Sequence, residues 1–368
     1  MRDYFIGLIS GTSSDGVDAV LIEFTLAPRL LASHFLAYPD TLRVEILEFS
    51  TGHYRGDAVD QLGRLDHSLG NLFADAALAL LKNAGIAAAD VRAIGSHGQT
   101  VRHRPHNKEP FTLQIADPNI IAACTGITTV ADFRRRDLAL GGEGAPLVPA
   151  FHRAAFADRG ETRAVINIGG IANITLLPTA DGTVSGFDTG PGNVLMDSWS
   201  REHLHKPHDE NGAFAATGKV HAALLADLLN DEYFRRPPPK STGREYFNGT
   251  WLKPRLARHK LPAADVMATL CELTARSVAD AVMGCKPRVA RVLLCGGGTR
   301  NRTLLQRLVV LLQDCRLGST ADFGVPPDWV EAAAFAWLAR ETLAGRPGNL
   351  PAVTGASRPA VLGCIYPA

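Results

Sequence analysis

One unit occurs twice in this chain, and it limits the fold more than any other feature. Residues 4–10 are apolar and β-prone, Gly11-Thr12-Ser13-Ser14-Asp15-Gly16 is a turn, and residues 17–24 are apolar again. After Pro149 the pattern restarts: residues 164–168 read as a strand, Gly169-Gly170 as a turn and residues 171–177 as a second strand. A duplicated strand–glycine turn–strand unit in an α/β chain predicts two related lobes, each offering a hairpin tip to one shared cleft. A length of 368 residues accommodates two such lobes.

The first hairpin tip, residues 11–16, is rich in hydroxyls. It offers backbone N–H groups, three hydroxyls and the Asp15 carboxylate to a phosphate and its metal ion, or is a plain hairpin tip that binds nothing; it lacks the GK[ST] ending and following helix of a P-loop. With a formal net charge of +1, the chain has no basic excess for a polyanion, so nucleic acid is not an expected partner. The N-terminus carries no basic segment followed by an apolar signal core, and no apolar run is long enough for a bilayer; the expectation is a cytosolic protein without a membrane partner. Six cysteines, none in a CxxC pair, read as reduced packing residues.

Candidate ligand segments follow in order. Residues 59–82 form a helical stripe that packs on the sheet. Residues 91–94 read as a strand running into Gly95-Ser96-His97-Gly98-Gln99-Thr100, a polar loop at a carboxyl strand end, where open α/β sheets bind ligands; His97 is alternatively a histidine satisfied by a backbone carbonyl. The tract Arg102-His103-Arg104-Pro105-His106 lacks zinc-site spacing and reads as a solvated loop. Three arginines, Arg134 to Arg136, lead into Gly141-Gly142-Glu143-Gly144, and at least one is expected to grip an anionic group.

In the second half, Gly186-Phe187-Asp188-Thr189-Gly190-Pro191-Gly192-Asn193 carries too much glycine and proline for helix or strand. It is an active-site loop, or a tight turn in which Asp188 is a turn-former or cap. The helix over 194–203 begins beside the glycine turn, so its N–H groups are expected to face whatever that turn binds. Residues 220–230 form a short helix, 235–240 a proline connector, Ser241-Thr242-Gly243-Arg244-Glu245 a cleft-rim cluster, and 265–283 a core helix. The strand at 291–295 ends in Gly296-Gly297-Gly298-Thr299-Arg300-Asn301, where a glycine triplet admits a nucleotide close to the backbone. Glu331 opens the last helix as a dipole-favouring carboxylate or a ligand contact.

Taken together, these stretches resemble the anhydro-N-acetylmuramic acid kinase family of the sugar kinase, Hsp70 and actin superfamily. The resemblance is carried by residues 10–18, 95–100, 131–137, 144–149, Asn167-Ile168-Gly169-Gly170-Ile171-Ala172-Asn173, 187–193, 241–245 and 295–298, in the family's order. Three departures stand out: Ser14 replaces a larger apolar residue, Ala116 a glycine and Glu143 a glutamine.

The resemblance implies an RNase H-like two-lobed fold with a nucleotide cleft between lobes that close over the substrates. The N-terminal lobe would span residues 1–145, completed by about 331–368, and the C-terminal lobe 146–330. It further implies a cytoplasmic, homodimeric, ATP- and Mg²⁺-dependent kinase of peptidoglycan recycling, which opens 1,6-anhydro-N-acetylmuramic acid with water and phosphorylates O6. Asp188 would be the general base. Gly11, Thr12, Ser13, Ser14, Asp15, Gly16, Val17, Asp18, Gly169, Gly170, Gly296, Gly297, Gly298 and Asn301 would hold the nucleotide, with Mg²⁺ near Asp15 or Asp18 rather than in a side-chain cluster. Ser96, His97, Gln99, Arg134 and Glu331 would surround the sugar. The rival readings are an ordinary hexose or amino-sugar kinase acting on a free hydroxyl, and an ATP-gated chaperone or actin-like protein.

Overall fold

Residues 4–10 are buried along their whole length, which is why a continuous apolar run, rather than an alternating one, codes for this central strand. The computed structural model describes residues 3–11, 13–53, 56–179 and 182–368. The chain divides into two compact units. One comprises Met1–Ala155, Phe323–Val325 and Trp329–Ala368; the other comprises Phe156–Asp322 and Pro326–Asp328.

In the first unit, β1 (Tyr4–Ser10), β2 (Gly16–Phe24) and β3 (Pro28–Ala37) form an antiparallel meander. On its other side β1 pairs in parallel with β4 (Val91–Arg104), whose second half forms a hairpin with β5 (Phe111–Ile115). Next to β4 lies the parallel β6 (Thr129–Ala131). The second unit repeats this plan. Strands β7 (Arg163–Ile168), β8 (Ile171–Leu177) and β9 (Ser185–Pro191) make the meander, and β10 (Arg291–Cys295) and β11 (Arg316–Ser319) extend it in parallel beyond β7. The orders β3-β2-β1-β4-β6 and β9-β8-β7-β10-β11 are the same path, so the repeat seen in the hairpins extends to both sheets. The tail strand β12 (Cys364–Tyr366) returns to pair with β6.

Helices cover the sheets where the sequence supplies apolar faces. In the first unit α1 (Ala58–Ala84) is capped by the Asp57 carboxylate, which accepts from the N–H groups of Val59 and Asp60, and it packs Leu65, Leu69 and Phe73 into the core. The second unit contributes α2 (Val194–His203), α3 (Ala263–Gly284) and α4 (Arg302–Leu311). The last helix, α5 (Val330–Leu343), crosses β1 and β4 at Gly7 and Gly95, which are register partners. A Cβ on Gly7 would lie 1.9 Å from the Ala332 carbonyl oxygen, and one on Gly95 would lie 2.0 Å from that of Phe335. Helix backbone rests directly on strand backbone there, and nothing larger than hydrogen fits.

Several expectations are corrected. The segment around Asp188 is a strand despite its glycines and proline. It is the edge strand of its sheet, where proline is tolerated and a bulge between Ala172 and Asn173 absorbs the irregularity. Gly190 adopts φ +151, a conformation side chains rarely take. Residues 95–104 likewise continue β4 instead of forming loops, because β1, β6 and β5 pair with successive parts of that strand. Cys124 and Cys364 are exposed, not packed; all six cysteines are free thiols. Among the described residues, no helix is long and apolar enough to cross a membrane.

Candidate active site

Asp188 sits on β9 opposite Asn173, and the edge it occupies is covered by the segment that follows the proline connector. Its N–H donates to the Lys240 carbonyl (3.0 Å), its carboxylate Oδ2 accepts from the Thr242 N–H (2.9 Å), and its own carbonyl accepts from the Tyr233 hydroxyl (2.7 Å). Burial pushes the carboxyl up to about 6; the Thr242 hydrogen bond opposes that rise and the nearby Glu245 charge adds to it. A carboxylate held by one backbone N–H, on a residue whose own N–H and carbonyl are both anchored, with a pKa raised toward neutrality, is suited to taking a proton from water or an alcohol. Beside it the buried Thr242 Oγ1 has no hydrogen-bond partner, an orphaned group at the point where a hydroxylated ligand would supply one.

The second glycine hairpin is built differently from the expectation. The N–H groups of Gly192 and Val194 donate to the Gly170 carbonyl, and that of Asn193 to the Gly169 carbonyl. The start of α2 therefore closes on the hairpin, and those three amides are not offered to a ligand. Close approach explains the glycines: a Cβ on Gly192 would lie 2.3 Å from the Gly169 carbonyl oxygen. Over Gly170 lies the Arg244 guanidinium, 3.4 Å from where a Cβ would be.

Gly297 and Asn301 line a cavity of roughly 380 Å³ together with Asn193, Asp197, Glu210 and Arg300. Gly296 has φ +83, and Gly298 packs on Ile168, where a Cβ would come within 2.3 Å of a side-chain carbon. Asn301 is also a helix cap, its Oδ1 accepting from the Leu304 N–H at 3.0 Å. Asp197 is a residue the sequence reading did not single out. Burial raises its carboxyl to about 6 against the charges of Arg201, His208 and Arg244. Its position in the first turn of α2 resembled an ordinary dipole-favouring acid, so spacing alone gave no reason to select it.

In the first unit, the tip at 11–15 is held by the Ser14 N–H donating to the Gly11 carbonyl (3.1 Å) and by the Ser13 hydroxyl donating to Asp15 Oδ1 (2.8 Å). Thr12 lies outside the described residues. Gly16, Val17 and Asp18 belong to β2, with Gly16 enclosed by Leu36 and Phe35 of β3. Ser14 has φ +50 and is buried. Gln99 ties the tip to β4: its Oε1 accepts from the Ser10 hydroxyl (2.7 Å) and its Nε2 donates to the Gly11 carbonyl (3.3 Å).

His97 and Arg134 form one unit. Arg134 Nε donates to His97 Nε2 (2.9 Å), which leaves the ring proton on Nδ1, facing the Gly98 carbonyl at 3.0 Å. Burial, then the Arg134 charge, holds the His97 pKa well below its ordinary value, so the ring is neutral. Arg134 Nη1 donates to the Gly144 carbonyl (2.8 Å), and that loop is fixed in turn by Asp137, whose Oδ2 accepts from the Gly144 N–H (2.8 Å). Burial lowers Arg134 to about 10, opposed by the charge of Glu331 and then Asp137. Of the three arginines only Arg134 is enclosed; Arg135 and Arg136 are exposed. Ser96 alternates to the other face of β4 from His97, and its buried hydroxyl has no partner. Glu143 is exposed, 3.9 Å from His106.

Two copies of one RNase H-like sheet path, each opened by a hairpin, with a buried carboxylate and a glycine-lined cavity, give the architecture of the sugar kinase, Hsp70 and actin superfamily. A family model described as anhydro-N-acetylmuramic acid kinase matches residues 3–368. The chain belongs to that family. Similar proteins of that name include one from Xanthomonas campestris pv. campestris (strain 8004), 54% identical over 368 residues, covering 99% of this chain and 97% of the relative. Another, from Coxiella burnetii (strain RSA 493 / Nine Mile phase I), is 51% identical over 366 residues, covering 99% of this chain and 98% of the relative.

Proposed function

We propose that this protein converts 1,6-anhydro-N-acetylmuramic acid and ATP to N-acetylmuramic acid 6-phosphate and ADP, opening the anhydro bridge with water. The observation that carries the mechanism is the Asp188 carboxylate, anchored by Thr242 and raised by burial to about 6. In the proposal Asp188 takes a proton from water as the water oxygen bonds to C1 of the sugar. The C1–O6 bond breaks, O6 keeps the electron pair and attacks the γ-phosphorus, and the bond to ADP breaks. The proton on Asp188 leaves to solvent after turnover.

The other residues bind and orient. Arg244, beside the Gly169-Gly170 hairpin, meets phosphate charge, and the cavity lined by Gly297 and Asn301 takes the nucleoside, with Asp197 facing its hydroxyls. His97 and Arg134, fixed to each other and to Gly144, take the sugar and its lactyl carboxylate, with Glu331 as counter-charge and Gln99 holding the hairpin. Among the described residues no group of three or more His, Cys, Asp or Glu could hold a metal ion. Asp15 at the tip and Asp18 on β2 are hard oxygen donors of the kind that hold Mg²⁺ with phosphates, and when bound it would neutralise phosphate charge. The proposal extends to a cytoplasmic homodimer.

An ATP-coupled assay in ¹⁸O-labelled water tests the reaction. The label is expected at C1 of the phosphorylated sugar. Turnover of free hydroxyl sugars alone, with no label at C1, would replace this reading by that of an ordinary sugar kinase.

A further inference from the structure

Behind Asp188 lies a second cavity, of roughly 330 Å³, that the proposed reaction does not use. Phe187 and Thr189 form one wall, and since side chains alternate along a strand, Asp188 projects from the opposite face of β9. Ala281 and Cys285, from α3 and its C-terminal cap, form another wall, and Phe234 and Lys240 line the side formed by residues 234–240.

The lining is mixed: Leu176, Phe187, Phe234, Pro238 and Ala281 supply apolar surface, and the cations Arg236, Lys240 and Lys286 outnumber the single acid Asp280. Lys240 Nζ donates to the Tyr233 carbonyl at 3.2 Å and rests 4.7 Å from the centre of that residue's ring. Among the described residues no carboxylate is in ion-pair contact with it, and burial followed by the charge of Arg236 lowers its pKa. Arg236 is paired with Glu232 and Lys286 of the lining is exposed, so among the described residues Lys240 is the half-buried cation of this cavity with no ion pair. Asp280 of α3 also lines the cavity, so an anion is steered away from it and toward Lys240.

The same residues hold the catalytic strand. The Lys240 carbonyl accepts the Asp188 N–H, and the Tyr233 hydroxyl donates to the Asp188 carbonyl. Phe234 packs on Gly190, 2.8 Å from where a Cβ would sit. We infer that this cavity is a regulatory site for a small organic anion, an apolar ring or chain bearing one carboxylate, whose binding at Lys240 shifts the backbone that positions Asp188. Coupling here is short and physical: one residue between ligand and base. The regulation rests on the proposed role of Asp188, while binding to the cavity does not.

The test uses 2-naphthoate and its neutral analogue 2-naphthamide on the full chain. Binding is followed by ligand-observed NMR and turnover by the ATP-coupled assay with the anhydro sugar. Naphthoate is expected to bind and to change kcat without competing with either substrate. The amide is expected to bind about tenfold more weakly, the loss of one charge-assisted contact. Cys285→Trp, which fills the cavity from its rim, should remove binding and regulation while keeping basal turnover. If that variant fails to fold, Ala281→Phe is read the same way. Competition with the sugar, equal binding of acid and amide, no binding at all, or binding that survives the filled cavity would each overturn the proposal. A protein that binds naphthoate at the cavity yet never turns over the anhydro sugar refutes the reaction, and with it the regulation, but not the site.

Discussion

Replacing Asp188 by asparagine separates its chemical role from its structural cost. Burial lifts the carboxyl from 3.8 to about 6. That difference of roughly 2 units corresponds to about 3 kcal/mol at about 1.36 kcal/mol per unit, and partial exposure reduces it to about 1–3 kcal/mol. The sign follows from linkage. A folded pKa above the unfolded one means the folded state holds the proton more tightly, so the contribution to stability is full below about pH 4 and lost as pH rises through about 6. An asparagine at this position would keep an oxygen to accept from the Thr242 N–H but carries no charge. Asp188→Asn is therefore expected to be more stable than the parent at pH 8, with the gain fading toward pH 4, read as urea midpoints at both pH values. In the same variant kcat should fall by about 10²–10⁴, the usual contribution of a general base, with ATP binding retained. The parent's kcat/KM should fall on the acid side with a midpoint near 6. Full turnover in the variant, or a stability gain equal at pH 4 and pH 8, would refute the reasoning.

Other outcomes follow from named contacts. Arg244→Ala should raise KM for ATP by about tenfold or more while leaving KM for the sugar nearly unchanged, since its guanidinium stands over the Gly169-Gly170 hairpin; the two saturation curves decide it. His97→Leu removes the acceptor for Arg134 Nε and should cost about 2 kcal/mol in urea unfolding, with His97→Gln recovering part of it. Because the His97 pKa is depressed, its contribution to stability is present above its ordinary value of 6.5 and is lost as pH falls below it, and His97→Gln should flatten that limb. Gly95→Ala forces a methyl against the Phe335 carbonyl and should destabilise by more than about 2 kcal/mol. Ala116 adopts φ +132, so Ala116→Gly should raise stability by about 1 kcal/mol, measured by the same unfolding curve.

The hairpins at 11–15 and 169–170 were legible because apolar runs broken by glycine specify strand–turn–strand locally, and the duplication of that unit carried the two-lobed architecture with it. Asp188 and His97 were legible as candidates because each lies among glycines, and Arg134 because an arginine run leads into the Gly141-Gly142-Glu143-Gly144 loop. What escaped were properties set by partners distant in sequence. Residues 185–191 are a strand because β8 supplies a ladder and residues 240–242 cover the edge, a gain that outweighs the local preference of glycine and proline for turns. Asp197 looked like a helix-opening acid until burial lifted its pKa, and Arg244 gained its place only when the chain returned it to Gly170. The sequence by itself determined the repeated topology and the kinds of group available, because these depend on local periodicity and turn chemistry. Only the tertiary structure decided which carboxylates are buried enough for their pKa to rise, and which glycines are glycine for the sake of a neighbouring backbone, because desolvation and close approach exist only between segments that folding brings together.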